Sequence, residues 1–364
     1  MSNLGVSSYL LEKILDTYLG KLEVKKPNLI VIGYGWAGKA FTDKIDKEKY
    51  NVTIVSNYPA MLNTTKLKNS ILNDYDKQLL ISKKEGLNYI LGKCTDIKEN
   101  DKSITVKPNF SIKDTQLKFD YLIVAVGSEP NDFGLTGVQE NCYFLKSLKD
   151  LDELRHDFQK GKFKNNNSQR INKKDLKITV LGGGPAGIEI AFELSKKYKN
   201  IQIIEALDTI LPMFSEETVK IVKEELDKAG IKLLLSNKVS KIDKSTIYAG
   251  DIKYPYDLSI WTCGIKPNIL VSKKTKNKFK FSDCIYGIGD IVASKELGPP
   301  TGQNAKQQGE YLAEYFNNNF KGEPYQYKEK GKIIHTKDWI VMETAIGTFR
   351  LPTLVEPLID YIIT

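Results

Sequence analysis

The chain has few of the residues on which protein-borne redox and metal chemistry depends. Its 364 residues include four cysteines, Cys94, Cys142, Cys263 and Cys284, and two histidines, His156 and His335. No two cysteines stand in a CxxC or CxxxxC spacing, which argues against a dithiol relay or zinc site and for small buried thiols in a reducing compartment. Two histidines are too few for a histidine-rich metal centre, so no metal is expected. Whatever chemistry occurs belongs to bound cofactors. Arginine is also scarce: Arg155, Arg170 and Arg350 stand alone beside a net charge of +9 carried by lysine. Bidentate reading of guanine or phosphate favours arginine, so a solvated lysine surface is expected, with no specific nucleic-acid partner. General attraction to acidic lipid remains compatible with this surface. No apolar run approaches the roughly 18 residues needed to cross a bilayer, and no cleavable signal pattern is present. The expected location is cytoplasmic or peripheral to an internal membrane.

What is present is ordinary globular composition, 41% hydrophobic and 27% charged, with room for two domains. Two glycine-rich turns dominate it. Leu29-Ile30-Val31-Ile32 runs into Gly33-Tyr34-Gly35-Trp36-Ala37-Gly38, and Ile178-Thr179-Val180-Leu181 runs into Gly182-Gly183-Gly184-Pro185-Ala186-Gly187. In each, the first glycine permits the tight turn, the second lets backbone approach a pyrophosphate, and the third lets helix pack on strand. The helix N-terminus then receives the phosphate. The two turns lie about one domain's length apart, so the chain is expected to hold two dinucleotides and to move electrons between them.

After the first turn a helix is expected through Lys49, then the strand Val52 to Val55. Tyr121 to Val126 reads as a strand buried on both faces, and Gly161 to Lys174 as a solvated connection. The second unit repeats the pattern, with a strand at Ile201 to Ile204 followed by Glu205, and a helix from Glu216 to Ala229 stopping at Gly230. Cys284 to Asp290 and the helical run from Gln303 return to the first domain. The fold class is therefore α/β, with two dinucleotide-binding (Rossmann-like) domains, the first split around the second. The boundaries expected are an N-terminal helical extension over 1–26, a first domain over 27–145 and 276–330, a second over 146–275, and a short C-terminal segment over 331–364. The spacing of Tyr9 to Leu19 predicts a helix inside the N-terminal extension.

Several motifs in order resemble the type II (alternative) NADH:quinone oxidoreductases, flavoproteins of the pyridine nucleotide-disulfide oxidoreductase superfamily, and in particular their mitochondrial, fungal-type members. The resemblance runs from about residue 27 to residue 320. It rests on the first turn with Trp36, Asn51 to Ser56, Ala125 to Gly134, Gly182 to Glu189, Ile260 to Gly264, Ile288 to Asp290, and Pro299 to Gln308.

The resemblance implies FAD at Gly33, Gly35, Trp36, Ala37 and Gly38, with Ser56, Thr64, Gly127 and Gly289 around it and Asp290 on the ribityl chain. It implies NADH at Gly182, Gly184, Pro185 and Gly187, with Gly264 nearby. Glu205 would accept from the adenosine ribose and repel a 2′-phosphate, favouring NADH over NADPH. Glu189 is implied near the meeting point of nicotinamide and flavin, and Gln303 and Gln307, four apart on one helix face, beside flavin and quinone. The activity implied is hydride transfer from NADH to flavin, then two electrons to a quinone or other small acceptor, with peripheral membrane contact and a homodimer as further expectations. A reductase of an electron-transfer protein and a non-catalytic flavin and NADH sensor are the alternatives.

Three departures stand out. Ser56 stands where many such units carry an acidic residue. Asn63, Lys66 and Lys68 interrupt a stretch that is apolar and proline-rich in the family, altering a surface expected near the flavin and the quinone entrance. The stretch 331–364 is short for the region that anchors family members and helps build the quinone tunnel.

Overall fold

Leu29, Ile30, Val31 and Ile32 are each 3% exposed or less, burial on both faces that a strand achieves only inside a sheet covered by helices. The structure, a computed structural model, describes residues 26–82, 86–160, 175–268, 270, 278–356 and 359. The expected N-terminal helix, the connection 161–174 and the boundary at 276 lie outside the described residues. In chain order come β1 (Asn28–Ile32), α1 (Trp36–Lys44), β2 (Asn51–Ser56), β3 (Asn88–Lys98), β4 (Ser103–Pro108), β5 (Thr115–Lys118), β6 (Tyr121–Val124) and α2 (Leu148–Lys160). The chain continues through β7 (Ile178–Leu181), α3 (Pro185–Ser195), β8 (Ile201–Ile204), α4 (Glu216–Lys228), β9 (Lys232–Leu234) and β10 (Leu258–Trp261). It ends in β11 (Ile285–Gly287), α5 (Gly302–Asn317), β12 (Lys332–His335), β13 (Trp339–Thr344) and β14 (Gly347–Pro352).

The first sheet has the order β11-β6-β1-β2-β3-β4-β5, parallel from β11 to β3 and antiparallel beyond. The second is fully parallel, β9-β8-β7-β10. In both, the strand that feeds a glycine turn is flanked by one strand that follows soon after and one that arrives late, β2 and β6 around β1, β8 and β10 around β7. Each turn therefore opens at a switch in strand order, where open α/β sheets present a crevice at their strand ends. The chain has the α/β, Rossmann-like architecture its motifs imply.

Helix α1 is shorter than its apolar pattern suggests. It ends at Lys44 because Ile45 turns to an extended conformation, and its side chain, 4% exposed, joins the core. Asp46 then closes its own turn, its Oδ1 accepting the Glu48 N–H, while the Asp46 N–H donates to Asn317 Oδ1 on α5. Helix α4 ends at Lys228, with Ala229 as its cap before the left-handed Gly230. The C-terminal stretch forms an antiparallel sheet, β12-β13-β14.

Helices α1 and α5 lie against each other because α5 carries Gly309 at the contact: a Cβ there would stand 2.3 Å from the Ala37 carbonyl oxygen. The residues after β2 cross over. Leu62, Leu67, Ile71 and Leu79 pack into the core of the second sheet, together with Ile188 and Phe192 of α3 and Ile334 and Val341 of the C-terminal sheet.

Candidate functional site

The first glycine turn is shaped from both sides. Gly33 has φ +97°, and a Cβ on it would lie 2.3 Å from the Ala125 carbonyl oxygen beyond β6; a Cβ on Gly38 would lie 2.1 Å from the Gly33 oxygen. These two glycines are demanded by the protein's own packing. Gly35 is different: φ is −89° and a Cβ would meet nothing within 4 Å, although the residue caps α1. Its emptiness faces a cleft of about 540 Å³.

That cleft is walled by Trp36 and Ala37 on α1, Ser56 at the end of β2, Thr64, Gly127 and the Gly289-Asp290 turn. The Trp36 Nε1–H is buried there with no hydrogen-bond partner among the described residues, an unmet donor that suits a polar ligand. Gly289 has φ +82° and donates its N–H to Gln308 Oε1 (2.7 Å), which fixes the turn carrying Asp290. Asp290 Oδ2 accepts from Ser128 Oγ (2.5 Å) and lies 3.9 Å from Lys146 Nζ. Pro300 and Gly302 bring the start of α5 to the same cleft. A phosphate-bearing, hydroxyl-rich ligand finds backbone N–H groups at α1 and an acceptor at Asp290.

The second turn repeats the geometry. Gly182 has φ +108° and packs on Thr262 beyond β10, with a hypothetical Cβ 2.8 Å from Thr262 Oγ1; a Cβ on Gly187 would lie 2.0 Å from the Gly182 oxygen. Gly184, capping α3 ahead of Pro185, again has open space where a Cβ would go. Glu205 is drawn back to the turn: Oε2 accepts the Gly183 N–H (2.6 Å) and Oε1 the Leu207 N–H (2.8 Å). Gly264, at φ +97°, follows β10 next to Phe133.

Glu189 stands one turn into α3, its side chain 14% exposed, and is held from three directions. Lys68 Nζ lies 2.7 Å from Oε2, while Oε1 accepts the His335 N–H (3.0 Å) and lies 2.6 Å from His335 Nδ1. Burial alone would push this carboxyl up, but the charges of Lys68 and His335 and their hydrogen bonds outweigh it and hold it down at about 2. Lys66 and Lys68 are therefore not surface residues as expected: they are 5% and 7% exposed and paired to carboxylates. The ion pairs are what make their burial tolerable.

Gln303 and Gln307 share α5 but turn toward residues 327–331. Gln303 Oε1 accepts from the Tyr327 hydroxyl (2.9 Å) and the Lys330 N–H (2.8 Å); Gln307 exchanges two bonds with the Lys328 backbone. Neither lines the 540 Å³ cleft, which α5 meets through Pro300, Gly302 and Ala305. The motifs did not single out Ser128 and Lys146 beside Asp290, and of the partners of Glu189 Lys68 stood out only as a departure from the family pattern. His335 was visible only as one of two histidines. The thiols of Cys94, Cys142 and Cys263 are pushed up to about 11, 11 and 12, chiefly by burial, so the reactive thiolate is scarce at neutral pH. Among the described residues no cluster of three potential metal ligands occurs.

The sequence profile of pyridine nucleotide-disulphide oxidoreductases matches residues 27–309. The external alternative NADH-ubiquinone oxidoreductase of Yarrowia lipolytica mitochondria is 27% identical over 349 residues, covering 80% of this chain and 59% of that protein. The Saccharomyces cerevisiae external NADH-ubiquinone oxidoreductase 2 is 27% identical over 360 residues, covering 84% and 65%. The chain thus spans about six tenths of the length of these two relatives. In fold it is similar to NDH2 from Plasmodium falciparum in complex with NADH, at a TM-score of 0.76 and 22% identity, over 93% of this chain and 95% of that one.

Proposed function

The chain belongs to the pyridine nucleotide-disulphide oxidoreductase family, and from that membership we propose that it is an FAD-dependent NADH dehydrogenase that passes electrons to a quinone. The observation that carries the proposal is the duplicated glycine turn. In each copy the outer glycines are required by the protein's own packing, whereas Gly35 and Gly184 leave open space at a helix N-terminus. No described residue crowds those two glycines; a ligand backed onto the helix would.

FAD is assigned to the first turn, whose cleft offers Trp36 Nε1–H, the α1 amides and the Asp290 carboxylate, and NADH to the second. Bound there, FAD would supply two-electron chemistry between nicotinamide and acceptor. The residues of this chain bind and orient. Gly33, Gly35, Trp36, Ala37 and Gly38 present α1 to a pyrophosphate, and Ser56, Thr64, Gly127 and Gly289 line the walls. Asp290, steadied by Ser128 and Lys146, accepts from ribityl hydroxyls. Gly182, Gly184, Pro185 and Gly187 do for NADH what the first turn does for FAD, with Gly264 just beyond β10. Glu205 sets a negative charge beside the adenosine ribose and disfavours a 2′-phosphate. Glu189 places a fixed carboxylate at the start of α3, and Gln303 and Gln307 tie α5 to residues 327–331. We read 27–145 with 276–330 as the FAD unit and 146–275 as the NADH unit.

Peripheral attachment to an internal membrane is part of the reading. Phe110 and Ile112 are 91% and 102% exposed on the loop between β4 and β5, and Lys107 and Lys113 flank them in sequence. Apolar side chains framed by lysine suit an acidic lipid surface.

The test is rapid mixing of the purified yellow protein with NADH and then a short-chain ubiquinone. Bleaching by NADH and recovery with the quinone are expected. A colourless protein that cannot be reconstituted with FAD overturns the proposal. Reoxidation by a soluble electron-transfer protein and by no quinone overturns the acceptor alone.

A further inference from the structure

Residues 62–70 form a wall between two cavities. Leu62, Thr64 and Thr65 face the cleft of the first glycine turn, and Lys66 and Lys68 face a second cavity of about 630 Å³. In that second cavity five ionisable side chains from four stretches of chain meet. Lys68 Nζ touches both Glu189 Oε2 (2.7 Å) and His335 Nδ1 (2.9 Å). His335 reaches Glu189 Oε1 through Nδ1 (2.6 Å) and Glu356 Oε1 through Nε2 (3.4 Å). Glu356 Oε1 in turn meets Lys66 Nζ at 2.6 Å.

Two lysines and two carboxylates balance, so the protonation of His335 decides whether this buried group is neutral or carries one positive charge. The ring has partners for both forms. Protonated, it donates Nδ1–H to Glu189, while Nε2, with no hydrogen-bond partner among the described residues, lies within ion-pair range of Glu356. Without the Nδ1 proton, the same nitrogen accepts from Lys68 at 2.9 Å while Nε2–H keeps its direction. Nδ1 thus has a partner in each state, Glu189 when it carries the proton and Lys68 when it does not, so the change falls on the bond to Glu189.

We propose that His335 is a positioning residue for Glu189: while protonated, it clamps the Glu189 carboxylate against Lys68 on the wall beside the first cleft, and loss of its proton releases that clamp. What the clamp serves rests on the electron-transfer reading above. Reducing a quinone takes up two protons with two electrons, so a proton-sensitive wall makes that half-reaction depend on pH, and hydride arrival less so.

Burial opposes the charged ring, but the Glu189 charge and hydrogen bond, with the Glu356 carboxylate nearby, outweigh burial and Lys68 and raise its pKa above the ordinary value. Lys337, Lys196, Glu193, Asp74 and Asp76 line the same cavity. Glu193 is paired to Lys196 at 2.6 Å.

The chain's two histidines make the test direct, because labelled imidazole gives two NMR signals and the half-exposed His156 is an internal reference. One signal is expected to titrate above the ordinary histidine range. Its midpoint should fall by about one pH unit or more in Glu356→Gln and rise in Lys68→Met, while the His156 signal stays put. An unmoved midpoint in both variants overturns the network. In the second arm, reoxidation of the reduced protein by a short-chain ubiquinone should bend with pH at the His335 midpoint. His335→Gln should flatten that bend and change the pH dependence of reduction by NADH by much less. A bend that persists in His335→Gln overturns the positioning role. If the NMR arm holds and no quinone reoxidises any form, the network stands and the quinone reading fails.

Discussion

Gly35 and Gly184 differ from the other glycines of their turns in what surrounds them, and the difference predicts a clean separation of folding from binding. Both have ordinary extended backbone, with φ −89° and −75°, and open space at the Cβ position. Valine at either site should leave the melting temperature of the flavin-free protein within a few degrees while filling a cradle. Gly35→Val is expected to yield colourless folded protein. Gly184→Val should stay yellow and lose NADH binding, raising the dissociation constant on the order of 100-fold, read by flavin bleaching on NADH titration. Equal flavin loss in both would contradict the assignment of the two turns. Glu205 invites a second change: Glu205→Gln removes the charge facing a 2′-phosphate, and the preference for NADH over NADPH should drop by about tenfold, ~1.4 kcal/mol. The ratio of kcat/KM for the two nucleotides measures it, and an unchanged ratio removes the role.

At the scale of elements, the contact of α1 with α5 depends on Gly309, and α3 is clasped to β12 of the C-terminal sheet through Glu189 and His335. Gly309→Val puts a side chain where the Ala37 carbonyl oxygen already stands, so the helices must separate. A loss of about 3 kcal/mol is expected from such overpacking, seen in thermal melts together with flavin release. The clasp depends on pH in a way whose sign is set by its members. Glu189, held at about 2 against roughly 4.3 unfolded, contributes stability that is intact above pH ~4.3 and lost as pH falls toward about 2. His335, raised above its unfolded value of about 6.5, contributes stability that is complete below that pH and lost as pH rises through its folded value. The clasp should therefore be strongest between about pH 4.5 and 6.5. Melting temperatures of the wild type and of His335→Gln across pH 3 to 9 should differ most in that window; a constant difference would contradict the coupling.

Among the described residues a large hydrophobic core packs on each of the two main sheets, and residues 62–79 belong in packing to the second although they follow β2 of the first. This crossing brings Lys68 to Glu189 on α3 and Lys66 to Glu356. Surface chemistry at this scale carries the membrane prediction: vesicles containing acidic lipid should float with the protein at low salt, and Phe110→Ser with Ile112→Ser should weaken that by several-fold. Flotation indifferent to both lipid charge and the double substitution would remove the loop from the account. No helix among the described residues is long and apolar enough to span a bilayer.

The strand–turn–helix units were legible because their requirements are local. A positive φ at Gly33 and Gly182, a small residue where helix meets turn, and an apolar strand ahead are satisfied by neighbours in the chain, so six residues reveal them. The length of α1 was less legible, because the burial of Ile45 and the bond from Asp46 to Asn317 stop it, and the second partner is 271 positions away. The surroundings of Glu189 were not legible. Its partners stand at Lys68 and at His335, 146 positions downstream, and no periodicity or motif links them. Likewise the helix pattern put Gln303 and Gln307 on one face, but which neighbour that face meets depended on where residues 327–331 pack. Turn chemistry and apolar spacing belong to adjacent residues and can be read from their order. The charge state of a buried carboxylate depends on which distant cations the folded chain brings within about 3 Å, and folding alone arranges that.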